Sequence, residues 1–150
     1  TGYDFEGLID LPPQLILAAD DPLGKKDKIT IEDLVEQPMV LLDLPISSTY
    51  FLSLFHGRGL RPHIAERVSN LSSLRSLVAN GFGYGLLNVS TKTNLAPDGQ
   101  KLVFRQLVGK HRPMVFGLAR MKSHYSPRIV TAFADHVRKQ VSVSGLPGMS

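Results

Sequence analysis

Three short runs of almost unbroken apolar residues constrain this chain most: LILAA at 15–19, MVLLDL at 39–44 and YGLLNV at 84–89. Runs of this length, apolar throughout, are what strands buried on both faces require. HIAERV at 63–68 reads as a further strand, with Ile64 and Val68 among polar neighbours. The segments between them have helical signals. TIEDLVEQ (30–37) opens on Thr30 with Asp33 at capping-box spacing, and Pro38 stops it. A second helix opens at Ser47 or Ser48 and runs to about Arg58, with Gly59 at its C′ position. In SNLSSLRSLVANG (69–81), Leu71, Leu74, Leu77 and Val78 fall on one helical face. Strand and helix alternate, which predicts an α/β domain with a parallel sheet. LVFRQLV (102–108) and MVFGLAR (114–120) are two more strands. Ser126-Pro127 opens a helix to about Val141 that should bury Ile129, Val130, Phe133, Ala134 and Val137. The tail from 143 onward reads as loose.

Composition removes several classes of function. The chain has 150 residues and no cysteine, so neither a disulfide framework nor a thiolate metal site is possible. No apolar run approaches the roughly 18 residues that cross a bilayer. TGYDFEGLID has no basic start, no apolar h-region and no initiator Met, so the chain is expected to be a piece of something longer. A net charge of +4 and a pI near 9.5 raise the possibility of nucleic-acid binding. The charges are scattered, however: Lys25, Lys26 and Lys28 sit among Asp20, Asp21 and Asp27, and no basic run interleaves with aromatics. His56, His63, His111, His124 and His136 include no pair at the i, i+4 spacing of a zinc helix, and there is no G-x-S-x-G elbow. No metal and no cofactor is expected. GFGYG at 81–85 follows a helix instead of opening one, so it reads as a C-cap and tight turn, not a phosphate loop.

The strand-to-helix junctions are where chemistry concentrates. Ligands of open parallel sheets sit beyond the carboxyl ends of the strands, where helix N-termini converge. Two such ends carry uncharged donors: Pro45, Ile46, Ser47, Ser48 and Thr49, and then Ser69 and Asn70. Free N–H groups and the partial positive charge of a helix start favour a carboxylate. One hydroxyl suffices for a cap, so three in a row exceed that need. Either the surplus holds a ligand, or Ser48 caps and the others face water.

The order LILAADDPLGKKDKITIEDLVEQPMVLLD, FLSLFHGRGLRPHIAERVSN and LSSLRSLVANGFGYGLLN resembles the effector-binding domain of LysR-type transcriptional regulators over roughly residues 15–88. This chain has Asp21-Pro22-Leu23 where the family usually has His-Pro-Leu, and Leu87-Asn88 where Leu-Pro is common. The resemblance implies an α/β fold like a type 2 periplasmic binding protein, with one complete Rossmann-like lobe and the returning part of a second. On that basis residues 1–10 are the first interlobe crossover and 11–87 are lobe II. Residues 88–142 are then the second crossover and the returning part of lobe I. The implied function is sensing of a small effector, a carboxylate or aromatic acid, in an interlobe cleft, with Tyr3 at the crossover added to the site. It further implies a cytoplasmic, non-enzymatic homo-oligomer that meets DNA only through a helix-turn-helix domain absent from this chain, and that meets no membrane. A solute-binding protein of the same fold and an enzyme built on it are the competing readings.

Overall fold

The computed structural model describes residues 2–122 and 127–144. In chain order the elements are β1 (Tyr3–Leu11), β2 (Gln14–Ala18), a 3-10 turn (Pro22–Lys25), α1 (Ile31–Leu34) and β3 (Pro38–Leu42). They continue with α2 (Pro45–His56), β4 (His63–Val68), α3 (Leu71–Ala79), β5 (Gly85–Leu87), β6 (Leu102–Gln106), β7 (Met114–Met121) and α4 (Arg128–Ser144). The predicted strands and helices are all present, with shifted ends. Ser126, the expected cap of the last helix, lies outside the described residues, as do 145–150 of the expected tail.

The local signals act as their chemistry dictates. Thr30 Oγ1 accepts from Asp33 N while an Asp33 carboxylate oxygen accepts from Thr30 N, a closed capping box. Gly59, at φ +69°, closes α2: Leu60 N donates to Phe55 O and Gly59 N to His56 O. This is the Schellman pattern with glycine at C′.

The major sheet has the order β4-β3-β5-β2-β6. β3 and β4 pair in parallel, a parallel bridge at Met39 and Tyr84 joins β3 to the β5 end, and β2 lies between β5 and β6. β2 runs antiparallel to both its neighbours, so the sheet is mixed where a parallel one was predicted. An apolar run reports burial on two faces and carries no information about direction. A second correction concerns β6. The division expected at Leu87 and Asn88 places it with the returning lobe, yet it pairs with β2 through Gln14–Gln106 and Ala18–Leu102. The chain leaves the major sheet only at β7.

Alternation along the strands builds two cores. Leu15, Leu17, Met39, Leu41 and Leu86 face α1 and α2, where Leu34, Phe51, Leu54 and Phe55 meet them. Ile16, Val40, Leu42 and Leu87 face the other way onto Leu74 and Val78 of α3.

The minor sheet is the antiparallel pair β1–β7, running from Tyr3–Met121 to Leu11–Met114 with a bulge between Gly7 and Ile9. α4 lies against β1 and is held by Arg138, whose Nε and Nη2 donate to the Glu6 carboxylate at 2.7 and 2.6 Å. That guanidinium holds the Glu6 carboxyl below its ordinary range. The expected burial of the α4 stripe is only partly met. Ala134 and Val141 are buried, but Ile129 is 78% and Phe133 63% exposed. A two-stranded ribbon is too narrow to cover a full helical stripe, and Phe5 and Met121 on the ribbon are themselves exposed.

Candidate ligand site at the carboxyl edge of the major sheet

The carboxyl ends of β3, β4 and β5 and the start of β2 share one edge of the sheet. Leu42 is paired with Val68 there, Asp43 N donates to Val68 O, and Gln14 is paired with Leu87. The ribbon of β1 and β7 leaves from the same edge, because Leu11 and Met114 face each other at its root. The Pro45–Thr49 start of α2 and the Ser69–Asn70 segment therefore lie at the same edge of the sheet.

Their roles differ from the sequence reading. α2 begins at Pro45 with Leu44 as its N-cap, so neither Ser47 nor Ser48 opens it. Proline at the first helical position has its φ already set and no N–H to satisfy. Ser48 Oγ donates to Leu44 O at 2.9 Å and Thr49 Oγ1 to Pro45 O at 3.0 Å. Two of the three hydroxyls are thus spent on the helix's own carbonyls. Leucine offers no capping oxygen, and α2 has no side-chain cap. The Ser47 hydroxyl and the first-turn N–H groups keep their donors. α3 is the contrast, since Asn70 Oδ1 accepts from Ser73 N at 2.8 Å. Asn70→Ala should lower unfolding free energy by about 1 kcal/mol, read as a shift of the urea midpoint at constant m-value. A change within error would show that the cap contributes nothing.

Tyr3 stands apart from these residues. It lies at the far end of β1, paired with Met121, roughly 26 Å from Leu11 at the usual strand rise.

Beside the α2 start lies a cavity of about 740 Å³, walled by Pro45, Ile46 and Tyr50 on one side and by Arg112, Pro113 and Met114 on the other, with Asp10 at its rim. Tyr50 pins the two walls, its hydroxyl donating to Arg112 O at 2.7 Å. Burial pushes the Tyr50 phenol pKa up, against the opposing influence of the Asn88 side chain and the Arg112 charge. Asn88, itself buried, donates through Nδ2 to Leu11 O at 3.0 Å and so fixes the root of β1 to the end of β5. Nothing in the sequence marks Tyr50 or Arg112, and Asn88 stands out there only as a departure from the family's Leu-Pro. Among the described residues no cluster of His, Asp or Glu is arranged to hold a metal, and no helix is long and apolar enough to cross a membrane.

The family model described as the LysR substrate binding domain matches residues 1–142 of this chain. The chain belongs to that family. Its fold is the type 2 periplasmic-binding-protein-like fold of LysR effector domains. The LysR-family regulator HinK of Pseudomonas aeruginosa superposes with a TM-score of 0.86 at 29% identity, over 93% of this chain and 49% of that one. The uncharacterized HTH-type transcriptional regulator YvbU of Bacillus subtilis (strain 168) is 29% identical over 93 residues, 62% of this chain and 31% of YvbU. The BenM effector-binding domain, solved with its effector benzoate, shares the fold at a TM-score of 0.72 and 17% identity, over 99% of this chain and 69% of that one. The chain thus spans between about a quarter and a third of the length of the curated relatives it matches, both of them transcriptional regulators.

Proposed function

We propose that this LysR substrate-binding domain senses a small carboxylate or aromatic acid at the carboxyl edge of its major sheet. The observation that carries this reading is the uncapped start of α2, whose Pro45, Ile46 and Thr49 line an apolar cavity and whose first turn, Ser47 included, keeps free donors. The apolar walls suit a ring, and the helix start suits its acid group. Benzoate, the effector of BenM, has that chemistry. The effector binds one arrangement of the lobe and the β1–β7 ribbon more tightly than another, and that difference is what reaches the rest of the protein. Couplings of this kind amount to about 1–3 kcal/mol. The full-length protein is a cytoplasmic homo-oligomer that meets DNA through another domain. Because the relatives are regulators, sensing is favoured over transport or catalysis.

Calorimetry with benzoate, and with benzamide as its neutral isostere, tests the reading. Benzoate should bind saturably and benzamide far more weakly. Ser47→Ala should weaken binding by on the order of 1 kcal/mol, the net value of one hydrogen bond. Ser48→Ala should leave binding unchanged, since that hydroxyl is committed to Leu44 O. Equal binding of the two ligands, or an unaffected Ser47→Ala, would place the site elsewhere.

A further inference from the structure

A second groove adjoins the first and has the opposite character. It lies between the last turn of α2 and the loop leading into β7, holds about 610 Å³, and is lined by His56, Arg58, Lys110, His111 and Arg112 with Thr49 and Ser53. The two grooves meet at Thr49 and Arg112. Asp10 borders the first, whereas no carboxylate lines the second.

The basic groove is held in shape by its own contacts. Arg58 Nη1 donates to Leu54 O at 3.1 Å and Nη2 to Lys110 O at 3.3 Å, which ties the loop to the end of the helix. The His111 ring sits between Arg58 Nη2 at 3.5 Å and Val108 O at 3.1 Å. Those two contacts are met by a ring that donates from Nε2 and accepts at Nδ1. Glu32 Oε1, 3.2 Å from Arg58 Nε, balances the Arg58 charge. Lys110 and Arg112 have no carboxylate within ion-pair distance among the described residues. The partial negative charge at a helix C-terminus works against an anion here. Arg58 offsets it by covering the Leu54 carbonyl.

We propose that this groove is an anion site for a phosphate-type dianion, either inorganic phosphate or the phosphate group of a small ester. Two uncompensated cations match two negative charges, whereas a monocarboxylate would leave one unbalanced. The Arg112 fork can take two phosphate oxygens, with Lys110 supplying a point charge. The site shares Thr49 and Arg112 with the first cavity, but Lys110 belongs to this groove alone, and the proposal stands whether or not an acid binds at the α2 start.

An amide-resolved NMR titration of the 150-residue chain with inorganic phosphate, at fixed ionic strength balanced by chloride, tests it. Saturable shifts are expected at residues 53–58 and 109–113, and none at 69–73. K110A/R112A should bind roughly tenfold more weakly or worse, the scale of one charge-assisted hydrogen bond, while K101A should titrate as the parent does. Tighter binding of glycerol 2-phosphate than of phosphate would support the site and identify an ester as its ligand. Equal binding would support it with phosphate itself as ligand. Shifts rising linearly to the highest concentration, or a double variant that titrates like the parent, would overturn the proposal. Both side chains are exposed, and K110Q and R112Q serve as milder variants should the double variant not fold.

Discussion

Phe55→Ala should lower the unfolding free energy by about 3–5 kcal/mol, the range for a buried phenylalanine truncated in a packed core. Phe55 is fully buried on α2, within the cluster that includes Leu15, Leu34, Met39 and Tyr84. Removing its ring takes away the transfer free energy of the side chain and leaves a cavity between two rigid elements, the helix and the sheet, that collapse poorly onto each other. Urea denaturation of the variant should show a lower midpoint with an unchanged m-value. The same helix presents Pro45–Tyr50 to the proposed acid site, so binding there should weaken as well. A loss below about 1 kcal/mol would mean that the surrounding side chains refill the space.

Gly83→Ala should cost about 3 kcal/mol or more. Gly83 has φ +154°, and a Cβ built there would lie 2.4 Å from the Pro38 carbonyl oxygen. Both observations have one origin. The chain turns from α3 into β5 while Tyr84 N donates to Pro38 O and Val40 N to Tyr84 O, so the backbones of the turn and of β3 meet at hydrogen-bonding distance. A side chain can be admitted only by breaking that junction, which joins the β3–β4 pair to the rest of the major sheet. Exchange of the Val40 and Tyr84 amides should accelerate in the variant even if it still folds. An alanine variant of native stability would show that the turn can move away from β3 freely.

These two positions show what could be read from the sequence and what could not. The apolar runs, the Thr30 capping box, the Gly59 cap and the GFGYG turn are local patterns, and local chemistry determines them. The start of α2 was misplaced because the serines compete with Pro45 for it, and a fixed φ prevails over a capping hydroxyl. The periodicity of α4 reports which face is apolar, but whether anything covers Ile129 and Phe133 is a property of the neighbourhood. The direction of β2 and the sheet that β6 joins depend on pairings between distant segments. The pins at the ligand edge have the same character: Tyr50 and Arg112 are 62 residues apart, and Asn88 and Leu11 are 77 apart. No motif connects them.

The position of β2 also bears on how the chain is made. Its partners are β5 and β6, so its backbone groups have no strand on either side until residues 85–87 and then 102–106 have been synthesised. On the ribosome the sequence QLILA is therefore an apolar segment waiting for both its neighbours. The β3–β4 pair can form long before it. Closing the sheet around β2 is a late event that spans most of the lobe, and the entropy of that closure makes it slow. Until then the nascent chain exposes an apolar strand, the interval in which a chaperone or a stray strand from another chain would meet it.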